Sequence, residues 1–496
     1  MMRDGAFYYA LTACSSSLRR WCVLSGMLAS VMLGCSTVPI APITLPPELA
    51  ACAEDFNHLD ALIDQAQVRD PVAALISGFP FLRVDRLLAS YRHDSHARAA
   101  WVAHLAALDR DARHFELGNL PGGHAQLPTE QRLDECRIRW SEAVLSDPAR
   151  LAALQAAAVV PDEYRTWQRV LGFYPLAAIV ARRGVARLQA ENLVRDSLPT
   201  ITPNTRIYRA ANVIAAAAQS SLMFSTAPRD ALGIPQLSPP LERALFARYA
   251  PDWWVTESSP ADRLGHPIWQ GARLAIVPDP PTLYTYRSHT RFGAELLVQL
   301  NYVIWFPRRD AVGALDLLAG EIDGLTWRVT LDRDGEPLIF DTIHNCGCYH
   351  LWFPTARVRA ITLTPTDSEP LWVPFTIKNS TQPLAIQLAS SNHYVTAVGP
   401  APEAADTTTL KVADYAELRS LVKSNTRAGM FASDGIVSGS ERGERFVLWP
   451  LGVPAPGAMR SHGHHATAFV GRRHFDEANL IERYFQRVEK PEYNER

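Results

Sequence analysis

The sequence Leu-Thr-Trp-Arg-Val-Thr-Leu at residues 325–331 alternates apolar and polar side chains, and Asp-Arg-Asp-Gly follows at residues 332–335. A second, largely apolar run covers residues 337–343. Alternation with a period of two is typical of β-strands, and a short link that contains Asp and Gly is typical of a hairpin turn. Residues 325–343 are therefore predicted to form an antiparallel β-hairpin.

The region around this hairpin has the composition of a strand-rich structure. Beyond about residue 271, Val, Ile, Thr, Tyr, Phe and Trp become frequent, and these residue types favour strands. Further strands are predicted at residues 272–277, 360–364, 371–377, 384–388 and 446–449. Helices are predicted at residues 292–303, 415–423 and 476–486.

The chain before this region has a helical pattern. Residues 48–248 are rich in Ala, Leu and Arg, and apolar residues recur at steps of three and four. Prolines cluster between residues 248 and 271, where the two patterns meet. The predicted fold class is therefore α+β, with a helical region at 49–260 followed by a mixed, strand-rich region at 261–496.

One helical segment, residues 171–181, is unusually apolar. Such a segment either lies on a membrane surface or packs as a buried helix against its neighbours. Pro175 interrupts the segment, and a basic face does not run along all of it. The two interpretations both remain open from the sequence.

The N-terminus contains the parts of a signal peptide. Arg19 and Arg20 precede a 13-residue apolar run at residues 21–33, and Gly34-Cys35 follows. A basic segment, a short apolar segment and a small residue at the cleavage site are the parts of a signal peptide. The apolar run of 13 residues is too short for a membrane-spanning helix, which needs about 20. The alternative to a lipoprotein signal is an ordinary secretory signal.

The cysteine directly after the small residue resembles the lipobox of bacterial lipoprotein precursors. The resemblance covers residues 19–36 and implies that residues 1–34 are removed and that Cys35 carries lipid. It also implies an anchor in the outer membrane, with the protein facing the periplasm. Residues 35–48 contain several prolines and are predicted to be an extended tether.

Composition limits the classes of partner. The chain has 496 residues, with 49 basic and 51 acidic side chains. A length of this order suggests two or three domains with ample core. The balanced charge gives no support for nucleic-acid binding, and the expected membrane contact is through the N-terminal lipid.

Four further cysteines remain after the signal. Cys52 and Cys136 lie in helical patterns, and we expect a disulfide between them, with two buried thiols as the alternative. An exported protein is free to form disulfides. Cys346 and Cys348 are either a small disulfide ring, ligands of a metal, or free thiols.

Chemistry-bearing residues concentrate in three places. His344-Asn345-Cys346-Gly347-Cys348-Tyr349-His350 directly follows the hairpin, and strand ends that enter loops often carry site residues. Arg460-Ser461-His462-Gly463-His464-His465 follows a Pro- and Gly-rich loop. His289 is expected just before the helix predicted at 292–303, and Glu295 inside that helix.

These groups suggest two functions of different class. The first is a hydrolase of the cell envelope with catalytic residues His289, Glu295, His344 and His350. Its cofactor is unknown, and zinc or another divalent transition metal would be bound by His344, His350, His462, His464 and His465. The second is a non-catalytic binding or assembly protein with a structural Cys and His cluster. The sequence lacks the Gly-x-Ser-x-Gly, Walker and His-Glu-x-x-His motifs, so the enzyme hypothesis requires these segments to converge in one pocket.

Overall fold

The hairpin predicted from the sequence is present. Strands Gly320–Leu331 and Pro337–His344 pair antiparallel, with Leu325 opposite His344 and Val329 opposite Phe340. Alternation of apolar and polar residues usually marks a strand with one buried and one exposed face, but both faces of this hairpin are buried. Its apolar face belongs to the core, and its polar face packs against loops from the C-terminal part of the chain.

The computed structural model describes residues 47–122, 127–197, 201–211, 222–313, 315–361, 368–378, 382–402 and 406–488. The predicted signal peptide at 1–34, the predicted lipidation site Cys35 and most of the predicted tether lie outside these residues. Residues Leu49–Arg496 form one compact unit, distinct from Met1–Glu48. Within the described ranges, no helix has both the length and the apolar character needed to cross a membrane.

Helices dominate the chain up to residue 191. Those in this part are α1 (Pro47–Ala66), α2 (Arg86–Ser90), α3 (Arg98–Asn119), α4 (Glu130–Ser146), α5 (Pro148–Ala157), α6 (Thr166–Leu171) and α7 (Tyr174–Glu191). Later in the chain are α8 (Pro239–Tyr249), α9 (Arg445–Leu448) and α10 (Leu480–Tyr484). Side chains at several N-termini accept hydrogen bonds from otherwise unpaired backbone N–H groups, as Thr129 does for α4 and Asp147 for α5. Pro148 follows Asp147 at the first position of α5, where a missing N–H group costs nothing.

Strands dominate the later part. Two short strands, β1 (Ala74–Ile76) and β2 (Phe79–Val84), lie among the helices. The later strands of the described residues are β3 (Arg195–Asp196), β4 (Thr205–Ala210), β5 (Asp252–Thr256), β6 (His266–Gln270), β7 (Arg273–Val277), β8 (Thr282–Phe292), β9 (Glu295–Arg309), β10 (Gly320–Leu331), β11 (Pro337–His344), β12 (Leu351–Pro354), β13 (Val358–Ala360), β14 (Leu384–Leu388), β15 (Val395–Pro400), β16 (Thr408–Asp414), β17 (Leu421–Lys423), β18 (Thr426–Ala428) and β19 (Phe485–Arg487). With its helical N-terminal part and this strand-rich remainder, the fold is α+β.

Eleven of the strands form one mixed sheet in the order β12-β11-β10-β9-β8-β16-β4-β5-β14-β15-β3. Its long central strands bury the largest core, which includes Trp253, Phe306 and Trp327. Strands β3, β4 and β5 lie before residue 260, so the expected helical region and the expected α+β region share this sheet.

The helical part is held together by a disulfide. Cys52 of α1 and Cys136 of α4 are bonded, which confirms the predicted bridge between two helices. Both cysteines are fully buried, and Phe56 and Trp140, close to them in the sequence, pack against Phe81 of β2. The bond therefore lies inside the packed interface between the helices and the β1–β2 hairpin.

Some predicted elements are wrong, and each has a physical reason. The predicted helix at 292–303 is the end of β8 and most of β9. Residues 296–306 are buried on both faces of the sheet, so their nearly continuous apolar run lacks the alternation that marks a half-exposed strand. The predicted strand at 446–449 is helical instead, in α9 and the following 3-10 turn Trp449–Leu451.

Other elements agree in part. The strands predicted at 272–277 and 384–388 are β7 and β14. The predicted strand at 371–377 contributes isolated bridges at Trp372 and Ile377, and residues 362–364 of the one predicted at 360–364 lie outside the described residues. The helices predicted at 415–423 and 476–486 shorten to a 3-10 turn, Tyr415–Arg419, and to α10.

Candidate active site

A cavity of about 540 Å³ lies at the end of β11, where the chain leaves the hairpin. Its size is in the range of small-molecule sites. One wall is apolar and comes from α7 through Ala177, Val180, Ala181, Gly184, Val185 and Leu188. The opposite side is polar and includes His344, Cys346, Cys348, His350, Asp323, Glu369, Glu444, Arg309, Arg442 and Arg473.

A tight turn places the cysteines and the first histidine at the cavity. The backbone N–H of His344 donates to the carbonyl oxygen of Cys348 at 3.0 Å, and that of Gly347 donates to the carbonyl of His344 at 2.7 Å. Gly347 has φ of 93°, and a Cβ atom there would lie 2.4 Å from the carbonyl oxygen of Ala466. The turn therefore requires glycine both for its backbone angle and for close packing.

His350 is oriented by a buried carboxylate. Its Nε2 atom lies 2.8 Å from Oδ2 of Asp341, and Arg328 donates two hydrogen bonds, of 2.9 and 2.6 Å, to the same carboxylate. The Nδ1 atom of His350 is buried and has no hydrogen-bond partner among the described residues. Burial lowers the pKa of His350 to about 4, against the raising effect of Asp341, so its imidazole is neutral near pH 7.

His344 lies beside a second buried carboxylate. Its Nδ1 atom lies 3.7 Å from Asp323, whose other oxygen is 2.7 Å from Nδ1 of His393. Burial lowers the pKa of His344, and the Nε2 atom of this side chain has no partner in the described part of the chain. His344 is thus a second neutral imidazole with one ring nitrogen unsatisfied.

The pKa of His393 is shifted in the opposite direction. It lies between Asp323 and Asp262, at 2.7 and 3.3 Å, and its ring stacks on Phe306 with centroids 3.8 Å apart. Burial opposes its protonation, but hydrogen bonds to the two carboxylates raise its pKa above the ordinary value. The two carboxylates therefore favour a proton on His393, which would offset the buried charge of Asp323 beside His344.

The cavity also presents unsatisfied cationic donors. Arg473 uses Nε and Nη2 on the side-chain and carbonyl oxygens of Thr467, and Arg442 donates from Nη2 to the carbonyl of Ile322. The Nη1 atoms of Arg473 and Arg442 are buried, and neither is hydrogen-bonded within the described ranges. Buried guanidinium N–H groups without partners are suited to an anionic or oxyanionic ligand.

Two other groups define the acid–base properties of the cavity. Burial raises the pKa of Glu444 to about 7, despite Arg309 and Arg442, so this carboxyl is partly protonated near neutral pH. A hydrogen bond with Cys346, together with burial, raises the pKa of Cys348 well above its ordinary value. Cys346 and Cys348 are free thiols, and Cys348 stays protonated, which makes it a poor nucleophile.

The other predicted catalytic residues lie elsewhere. His289 is on β8 rather than before a helix, and burial lowers its pKa to about 3. Glu295 begins β9 and pairs with Arg333 and Arg487 at 3.4 and 2.6 Å. Neither residue belongs to the lining of the cavity with His344 and His350.

The predicted 462–465 ligands have three separate local roles. His462 stacks on Tyr286 with ring centroids 4.8 Å apart. Both ring nitrogens of His464 are used, on Glu163 and on the carbonyl of Pro71, each at 2.8 Å. His465 contacts the carbonyl of Asn345 at 3.2 Å, and none of the three lines the cavity. Across the described residues, no three or more His, Cys, Asp or Glu side chains are arranged to hold a metal.

The chain matches no protein-family model, no curated protein and no solved structure. The candidate site therefore stands on its own geometry.

Proposed function

We propose that the protein is a hydrolase of the bacterial cell envelope, tethered through lipid on Cys35, with the cavity as its active site. One observation carries the proposal: His350 and His344 each have one ring nitrogen at a buried carboxylate, and each has its other ring nitrogen unsatisfied. Both line the same cavity. A neutral imidazole fixed by a carboxylate is the arrangement of a general base.

In the proposed reaction, a water molecule attacks the carbonyl carbon of an ester or amide. His350 accepts the proton of that water on Nδ1 while a bond forms between the water oxygen and the carbon. The bond to the leaving oxygen or nitrogen then breaks, and Glu444 supplies the proton that the leaving group needs. The N–H groups of Arg473 and Arg442 stabilise the negative charge on the carbonyl oxygen.

The predicted lipobox supports the location, because it implies export and attachment to the outer membrane. The Cys52–Cys136 disulfide is consistent with an oxidising compartment. A second candidate function is binding of an anionic ligand without turnover, and the unpaired N–H groups of Arg473 and Arg442 favour it.

Hydrolysis of p-nitrophenyl esters and anilides by the purified protein tests the proposal. We expect His350→Gln to reduce the rate by about 100-fold or more, since general-base catalysis contributes this much. Gln retains an N–H group for Asp341, so the fold is preserved, which circular dichroism would verify. His462→Gln is the matched control because His462 is a histidine outside the cavity lining. Equal rates for the wild type and His350→Gln across the substrate panel would contradict the hydrolase, and saturable ligand binding alone would favour the second candidate.

A further inference from the structure

The segment that contains α6 and α7 carries large apolar side chains that the rest of the fold leaves exposed. Neither helix contains a buried residue. The exposed fraction is 73% for Phe173, 67% for Leu176, 53% for Ile179 and 71% for Val180. Of the two interpretations open from the sequence for residues 171–181, packing as a buried helix is therefore wrong.

Neighbouring residues extend this exposed area. Together they form what we call the apolar surface: Trp167, Val170, Leu171, Phe173, Leu176, Ile179, Val180, Phe446 and Val447. Gly172 packs closely on Pro450, and Val180 and Val447 line the cavity together, so the 445–450 segment lies beside α6 and α7. Exposed apolar areas of this kind mark interaction sites rather than ordinary surface.

The charge of the segment favours a partner that is negative. Residues 165–191 contain five arginines and one glutamate, a net charge of +4, although the whole chain has a net charge of −2. Arg165, Arg183 and Arg187 are exposed. Exposed helices that combine large apolar side chains with arginines are typical of helices that lie in the interface of an anionic membrane.

We infer that the apolar surface docks on an anionic phospholipid bilayer. Only 11 residues lie between Cys35 and Pro47, where α1 begins, and an extended chain spans at most about 3.6 Å per residue. With lipid on Cys35, the start of α1 at Pro47 is held within about 45 Å of the bilayer, so the tether keeps the compact unit close to the membrane surface. The docking itself depends on the exposed side chains and does not depend on the proposed hydrolase activity.

Docking would place the bilayer at the apolar wall of the cavity. Val180 and Val447 belong to both the apolar surface and the cavity lining. A membrane-resident amphiphile could then enter along α7, with its apolar part on this wall and an anionic group at Arg442 and Arg473.

Vesicle co-sedimentation tests the docking with a chain that begins at Ser36, which lacks lipid but retains the whole unit Leu49–Arg496. Vesicles of phosphatidylglycerol and phosphatidylethanolamine are the probe. We expect Leu176→Asp/Ile179→Asp to lower the partition coefficient by about tenfold or more, because two apolar contacts are replaced by charges that anionic lipid repels. Neither residue lines the cavity.

The control variant is Val312→Asp/Val422→Asp, which changes two other exposed apolar residues, 81% and 65% accessible, outside the segment. We expect it to bind as the wild type does, and 0.5 M salt to weaken the binding of both. Absence of wild-type binding, or equal loss in both variants, would overturn the inference. A dimer in vesicle-free solution that Leu176→Asp/Ile179→Asp dissociates would also overturn it, since the surface would then bind a second copy of the chain.

Discussion

The Nε2 atom of His350 lies 2.8 Å from the carboxylate of Asp341, which is on β11, and His350 directly precedes β12, the strand that pairs with β11. Asp341 is fully buried, and its remaining acceptor capacity is used by Arg328. The carboxylate therefore fixes which nitrogen of His350 carries the proton. Its removal should affect both the fold and the proposed reaction.

Asp341→Asn should reduce hydrolysis by about 100-fold or more with little change in KM, because the imidazole loses the charged, acceptor-only group that fixes its tautomer. The acid limb of the pH–rate profile should move to lower pH, since Asp341 raises the pKa of His350. The variant should also lose about 3 kcal/mol of unfolding free energy, because Arg328 is left buried without its partner. Asp334→Asn, in a surface pair with Arg357, is the control. A variant with an unchanged profile would show that Asp341 acts only in folding.

The activity should depend on pH as a bell-shaped curve. His350 is a free base only above its pKa of about 4, and Glu444 is a proton donor only below its pKa of about 7. The kcat/KM profile should thus fall on both sides of this window. Glu444→Gln should lower the rate and remove the alkaline limb while leaving the acid limb in place. An alkaline limb that persists in this variant would assign the acid to another group.

The Cys52–Cys136 disulfide should contribute about 4 kcal/mol to stability. Its two cysteines are 84 positions apart, and cross-linking a loop of this length restricts the unfolded chain strongly. Urea unfolding of Cys52→Ala/Cys136→Ala should show this loss. Dithiothreitol should destabilise the wild type and leave the double variant unchanged, and a reductant effect of equal size in both would contradict the assignment.

His465 should make the protein less stable in acid. Burial, reinforced by Arg460, lowers its pKa to about 3, whereas an unfolded histidine titrates near 6.5. The unfolded state therefore binds a proton that the folded state does not, and stability falls as the pH drops below 6.5. Between pH 7 and pH 5 the wild type should lose about 2 kcal/mol more than His465→Phe. Parallel pH dependence of the two proteins would contradict the prediction.

The fold was predictable from the sequence where the pattern of apolar and polar residues directly reflects the local secondary structure. The alternation at 325–331 survives in β10 because Thr326, Arg328 and Thr330 share one face and all find polar partners there. In β9 both faces are buried, so a strand and a buried helix have the same sequence pattern over 292–303. Only the pairing of β9 with β8 and β10 distinguishes them.

The site was predictable only in its local part. His344 and His350 could be chosen because they flank a turn at the end of a strand, and both line the cavity. Asp341 was missed, although a carboxylate within the apolar run Leu338-Ile339-Phe340-Asp341 is a signal of a buried, paired charge. Arg442, Glu444 and Arg473 reach the cavity from loops about 100 residues or more away in sequence, a convergence that no local pattern contains.

Strand β16 has a consequence for biogenesis. Its first half pairs with β4 and its second half with β8, so residues 408–414 join two groups of strands into one sheet. A chain that crosses a membrane from its N-terminus exposes the edges of β4 and β8 until this segment emerges. Unpaired edges of this kind invite aggregation. Closure of the sheet therefore waits until most of the chain has been made, and truncation before residue 408 should yield insoluble product.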